Sequence, residues 1–178
     1  MIEFRGQKIS KGIWVYGSLV YTNECGAAIY FQVGNGSVKS LEWVYVKPET
    51  VGQFTGLLDK NGNKIYEGDI VRYYYVDSRC INPDCDHFNW IYESYLKKVE
   101  GIVSYEDGMF VCEENTPLAW CGFEDLEELR HALDVSEEDG CGDVDGNIID
   151  ESKLGIEVIG NIHEERKTKI TNKNFIRK

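Results

Sequence analysis

Proline is scarce in this 178-residue chain, three against eighteen glycines, and there are only three histidines and two methionines. So little proline excludes collagen-like and proline-rich extended chains and leaves the turns to glycine, asparagine and aspartate. Long apolar runs are missing too. No stretch approaches the roughly 20 residues of a membrane-spanning helix. The opening Met1-Ile2-Glu3-Phe4-Arg5-Gly6-Gln7-Lys8 lacks the apolar core of a signal peptide. These absences predict a cytoplasmic protein with no membrane association. Positive charge is the third shortage: 19 Lys and Arg stand against 31 Asp and Glu, a formal charge of −12.

That charge is unevenly spread. Arg166–Lys178 hold six basic residues and no acidic one, so residues 1–165 carry −18, while Glu106–Glu151 hold sixteen acidic side chains and a single basic one, Arg130. Such a body repels phosphate backbones and argues against nucleic acid as the partner of the globular part. The basic segment 166–178 reads as a flexible tail. Six cysteines, at 25, 80, 85, 112, 121 and 141, read as reduced thiols in an unsecreted chain.

The composition that remains is that of a globular β protein. Hydrophobic residues make up 42% and aromatics 12%, and the aromatics favour strands. Residues 2–21 read as strands about a Lys11-Gly12 turn. Ile13, Val15 and Leu19 lie on one face and Trp14, Tyr16 and Val20 on the other, so that both faces look coverable. Ala27–Val33 and Leu41–Val46 are further strands. Asn61-Gly62 marks a hairpin, and Glu67-Gly68-Asp69 marks a second tight turn opening the strand Ile70–Val76. A Gly-Asp turn feeding a β-branched strand suggests an SH3-like barrel. Residues 77–95 show no period. Lys98–Tyr105 and Met109–Glu113 form a hairpin, Phe123–Asp134 is the one helix, with Leu126, Leu129 and Leu133 on one face, and Ile156–Ile162 closes the chain as a strand.

The run Pro48–Val71, with Gly52-Gln53-Phe54-Thr55-Gly56-Leu57-Leu58-Asp59-Lys60-Asn61-Gly62 and Ile65-Tyr66-Glu67-Gly68-Asp69 at its centre, closely resembles the central motif of the YopX family of bacteriophage and prophage proteins. Phe4-Arg5-Gly6 with Trp14-Val15-Tyr16-Gly17 resembles its first hairpin. Gly101–Gly108 and Glu157–Glu164 are similar to its later strands. The resemblance implies a mainly β protein: an N-terminal β region over 1–50, and a barrel-like β domain over 51–165 interrupted by insertions at about 77–96 and 113–154. It implies no activity, cofactor or catalytic residue. A phage-type accessory protein, with homo-oligomers unsurprising, is what it leads one to expect.

Candidate chemistry is thin. Cys80-x4-Cys85-x-His87, with Asp84 and Asp86 nearby, is the best zinc candidate, although its first pair fits the usual spacing loosely and a second pair would have to come from Cys112, Cys121 or Cys141. A surface loop with two ordinary thiols explains the same residues. Asp143-x-Asp145-Gly146 resembles a calcium loop but places Cys141 and Ser152 where the first and last ligands belong. No local motif pairs a cysteine with His87, His131 or His163. Glu67 and Asp69 are explained by their turn, and Gly34-Asn35-Gly36-Ser37 lacks the lysine and helix of a phosphate loop. The aromatics of Trp14–Tyr16, Trp43–Tyr45 and Tyr73–Tyr75 suit strand packing, with stacking on single-stranded bases as the rival use. The reading that follows is a non-enzymatic interaction or assembly module with an acidic surface and a basic protein partner. Its alternatives are a metal or cysteine hydrolase centred on Cys80, Cys85 and His87, and a nucleic-acid module using the aromatics and the tail.

Overall fold

The computed structural model describes residues 2–22, 26–34, 39–80, 92–112, 116–123, 127–129 and 154–164. Strands dominate, and every pairing between them is antiparallel. β1 (Phe4–Gln7), β2 (Trp14–Thr22), β3 (Gly26–Val33) and β4 (Ser40–Val46) form a meander. β5 (Gly52–Leu58) and β6 (Lys64–Tyr66) extend it on the free side of β1, giving a six-stranded sheet ordered β4-β3-β2-β1-β5-β6. β7 (Asp69–Cys80) and β8 (Tyr92–Ile102) are the arms of a long hairpin, and β12 (Glu157–Asn161) pairs with β7. β9 (Ser104–Glu106), β10 (Met109–Cys112) and β11 (Thr116–Pro117) make a third, small sheet. Among the described residues no helix is long and apolar enough to cross a membrane.

The turns form where side-chain chemistry demands them. Gly62 and Gly68 adopt φ of +80° and +81°, values that cost an L side chain energy. Asp59 caps the first turn by accepting hydrogen bonds from the Asn61 and Asn63 amides at 2.9 and 2.8 Å. Asp107 and Gly108, both at positive φ, turn the chain between β9 and β10. In the expected helix, residues 127–129 are helical, and the rest of Phe123–Asp134 beyond Phe123 lies outside the described residues.

Three expectations change. Asp77–Cys80 and Tyr92–Tyr95, read as part of an irregular excursion, belong to the β7–β8 ladder, whose register runs unbroken from Ile70↔Ile102 to Cys80↔Tyr92. Backbone pairing is indifferent to side-chain polarity, so the missing hydrophobic period did not reveal it. The single strand expected over Lys98–Tyr105 divides at Val103, whose amide donates to the Asp69 carbonyl and whose carbonyl accepts from Gly68. And no sheet closes on itself among the described residues. One isolated bridge, Lys8 to Val46, brings the end of β1 to the end of β4, and the barrel-type part is represented by open antiparallel sheets.

Three apolar clusters hold these sheets. Ala27, Ile29 and Val46, with Phe4, Val15, Leu19 and Val44 against them, lie on the inner side of β1–β4. Val71 and Tyr73 of β7 join Ile65, Val99, Val103, Cys112, Leu118 and Cys121 on one side of the hairpin sheet. Tyr74 reaches the opposite side and packs with Leu96, Leu129 and Leu154. The hairpin sheet is therefore buried on both faces, whereas β2–β4 are buried on one. Close approaches fix the six-stranded sheet: a Cβ on Gly52 would sit 2.4 Å from the Glu67 carbonyl oxygen, and one on Gly17 would sit 2.1 Å from that of Tyr30.

Candidate functional site

The outer side of the six-stranded sheet carries two features, a charge-paired centre on β1 and an aromatic field over β2–β4. At the centre, Arg5 projects outward from a strand held between β2 and β5. It is 7% exposed. Its Nη2 donates to Asp69 Oδ1 at 2.6 Å and to the Glu67 carbonyl at 3.2 Å. The guanidinium lies between two ring faces, 4.6 Å from the centroid of Trp14 and 4.7 Å from that of Tyr66. A desolvated cation between aromatic faces gains from both ring quadrupoles.

Asp69 is equally committed. Its second oxygen accepts the Tyr66 amide at 2.8 Å, and Asn161 Nδ2 donates to Asp69 Oδ1 at 3.1 Å and to the Gly68 carbonyl at 2.8 Å. The pair joins β1 of the first sheet to the start of β7 and the end of β12, and its saturation explains how two charges are kept in a dry position. Arg5 Nε, however, has no partner, the only such buried side-chain nitrogen or oxygen among the described residues.

Beside this centre opens a groove of about 410 Å³ lined by Glu3, Arg5, Tyr16, Asn63, Lys64 and Tyr66. Lys64 Nζ donates to Glu3 Oε2 at 2.7 Å, and the Tyr66 hydroxyl donates to Glu3 Oε1. Burial alone would raise the Glu3 carboxyl, but the hydrogen bonds from Lys64 and Tyr66 and the lysine charge outweigh it, and its pKa falls below the ordinary value. Burial first, then the bond to Glu3 and its charge, raise the Tyr66 phenol, which stays protonated. Tyr16 leans against Tyr66 with ring centroids 5.6 Å apart and remains half-exposed.

From Tyr16 the aromatic field runs to the sheet edge at β4. The registers Ser18↔Tyr30 and Tyr30↔Trp43 put positions 14–22 (even) of β2, 28–32 (even) of β3 and 41–45 (odd) of β4 on one side. None of these residues is charged, in a chain that is 28% charged. Tyr30 stacks on Trp43 at 6.2 Å, and Tyr45 meets Trp43 edge-on at 4.9 Å. Leu41 is 67% exposed, Trp43 50% and Val20 41%. Single exposed apolar residues are ordinary; here they are contiguous, in an uncharged patch.

The sequence candidates fare differently. Cys80 is the last residue of β7, opposite Tyr92, while Cys85 and His87 fall outside the described residues, as do Cys25, Cys141, His131 and most of Glu106–Glu151. Cys112 and Cys121 are buried beside Tyr73. Burial pushes the Cys121 thiol up to about 11, the reverse of what a nucleophile needs. Among the described residues no group of three or more His, Cys, Asp or Glu is placed to hold a metal ion. Asp69, read as a turn residue, is in addition half of the buried pair. Arg5, Glu3 and Lys64 were missed. The available signal was an arginine inside the apolar opening of β1 and an acid at the start of an equally apolar β7.

This is a mainly β chain of antiparallel sheets with one large face left open among the described residues. The YopX protein family matches it over residues 3–167, so the chain belongs to the YopX family. A crystal structure of protein EF1440 from Enterococcus faecalis is similar at 18% identity, covering 92% of this chain and 94% of that one, with a TM-score of 0.40. No curated protein matches the chain.

Proposed function

We propose that this YopX-family chain is a non-enzymatic, phage- or prophage-type interaction module that docks a protein partner on the outer face of β2–β4. The observation behind this reading is the uncharged aromatic field of Tyr30, Trp43 and Tyr45 with the exposed Tyr16, Val20 and Leu41. Interface centres are enriched in Tyr and Trp and depleted in charge. The formal charge of −12 then has a separate role, steering a basic partner towards the molecule and opposing self-association.

The test is affinity capture by the purified chain from a lysogenic host lysate, run beside Trp43→Ser and Tyr30→Ser. The reading expects one basic protein retained by the wild type and lost from both variants, with unchanged thermal unfolding of the variants. Its capture should weaken with salt. Identical proteins retained by all three chains would overturn it. Tight binding of single-stranded DNA, abolished by the same substitutions, would replace the protein partner with a nucleic acid.

A further inference from the structure

We infer that the groove beside Arg5 is a binding site for a neutral sugar ring, adjoining the docking face and sharing only Tyr16 with it. Its charges come in pairs. Lys64 is paired with Glu3 at 2.7 Å and Arg5 with Asp69 at 2.6 Å, so the walls present charge without net charge. An anion would meet the Glu3 carboxylate and a body of charge −12. A cation would meet Lys64 and Arg5. Neither sign of ion is selected, and a neutral ligand is.

The hydrogen-bonding capacity that remains is considerable. The Lys64 ammonium has three N–H donors and spends one on Glu3. Each Glu3 oxygen accepts a single bond, one from Tyr66 and one from Lys64, leaving lone pairs on both. Asn63 Nδ2 donates to Asp59, which leaves its amide oxygen as an acceptor at the rim. Donors and acceptors alternate over a short distance, which is the pattern a polyol offers in return, since each hydroxyl both donates and accepts.

The third element is the ring of Tyr16, half-exposed and braced by Tyr66 at 5.6 Å. A sugar ring has an apolar face of C–H bonds, and an exposed aromatic with a few convergent polar groups is what holds such a face. The groove, at about 410 Å³, lies within the range of small-molecule sites. The ligand class is therefore a neutral mono- or disaccharide, stacked on Tyr16 and hydrogen-bonded to Glu3, Asn63 and Lys64.

The experiment is a titration of the full chain with N,N′-diacetylchitobiose, cellobiose, maltose, lactose and glucose, followed by ligand-observed NMR and by the Trp14 indole signal, which reports from the ring against Arg5. Glucose 6-phosphate and glucosamine serve as the anionic and cationic probes. At least one neutral disaccharide is expected to bind saturably and to be weakened tenfold or more by Tyr16→Ala, while Trp43→Ser leaves it unchanged. The charged probes bind more weakly than their neutral counterparts. Lys64→Met, on an exposed side chain, provides a second variant and weakens the same sugar. The inference is overturned if no neutral probe saturates by about 10 mM, if glucose 6-phosphate is the tightest ligand, or if binding survives both Tyr16→Ala and Lys64→Met. Because Trp43→Ser acts on the docking face alone, failure of this site and failure of the interaction reading register separately.

Discussion

The β7–β8 hairpin and the β2–β4 meander are both rich in tyrosine, and they use it in opposite ways. Tyr73 and Tyr74 are adjacent on β7, point to opposite faces and are both buried, because each face of that sheet has a cluster to enter. Tyr16, Tyr30 and Trp43 lie on the single uncovered face of the meander, whose inner face is closed by Ile29 and Val46. A strand with two covered faces spends its aromatics on stability. A strand with one covered face can spend half of them on recognition. A high aromatic content says how much surface a sheet can bury, not whether the burial occurs within the chain or against another molecule.

The largest expected effects lie on the covered side. Tyr73→Ala should lose about 3–5 kcal/mol of unfolding free energy, the usual cost of removing a buried aromatic side chain, measured by urea denaturation. Asp69→Ala, at the joint between the two regions, should cost a comparable amount, about 3–5 kcal/mol, by stranding the Arg5 charge in a dry site. If the pair is only decorative, the variant will unfold at the wild-type midpoint. Gly52→Ala forces a methyl against the Glu67 carbonyl and should cost about 1–3 kcal/mol, as overpacking does.

A smaller effect is expected from pH. Burial would raise the Asp59 carboxyl, but its bonds from Asn63, Asn61 and the Val158 amide hold it below the ordinary aspartate value. A depressed folded pKa contributes stability that is present above the unfolded value near pH 4 and is lost as the pH falls through the folded one. Asp59→Asn should therefore flatten the acid limb of stability below about pH 4, a change followed by the urea midpoint at pH 7 and pH 3. An unaltered acid limb would assign the loss to other carboxylates. Smallest of all is Trp43→Ser on the open face, expected to shift stability by no more than about 0.5 kcal/mol. A loss as large as that of Tyr73→Ala would mean that the meander's outer face is covered from within, and the contrast between the two sheets would disappear.

Local features were legible beforehand. The Asn61-Gly62 and Glu67-Gly68-Asp69 turns, the reversal at Asp107-Gly108 and the closing strand near Glu157–Asn161 all depend on residues a few positions apart. The residues of the YopX resemblance, and the family itself, were likewise readable. Less legible was the extension of β7 to Cys80 and of β8 back to Tyr92, because a backbone ladder leaves no hydrophobic period when its side chains are polar. The break at Val103 escaped for another reason: its hydrogen bonds go to Gly68 and Asp69, more than thirty residues away.

Alternation along β2 separated Val15 and Leu19 from Trp14, Tyr16 and Val20 without any coordinates, and composition with turn chemistry settled a mainly β chain. Those properties depend on the two-residue period of a strand and on the φ angles glycine tolerates, and both are written locally. Which of the two faces stays open, that β1 lies between β2 and β5, and that Arg5 finds Asp69 across 64 positions of chain are products of the tertiary structure. A face is buried only if some distant element arrives to cover it. No local pattern encodes that arrival, because it is decided by how all the sheets share the chain's apolar surface.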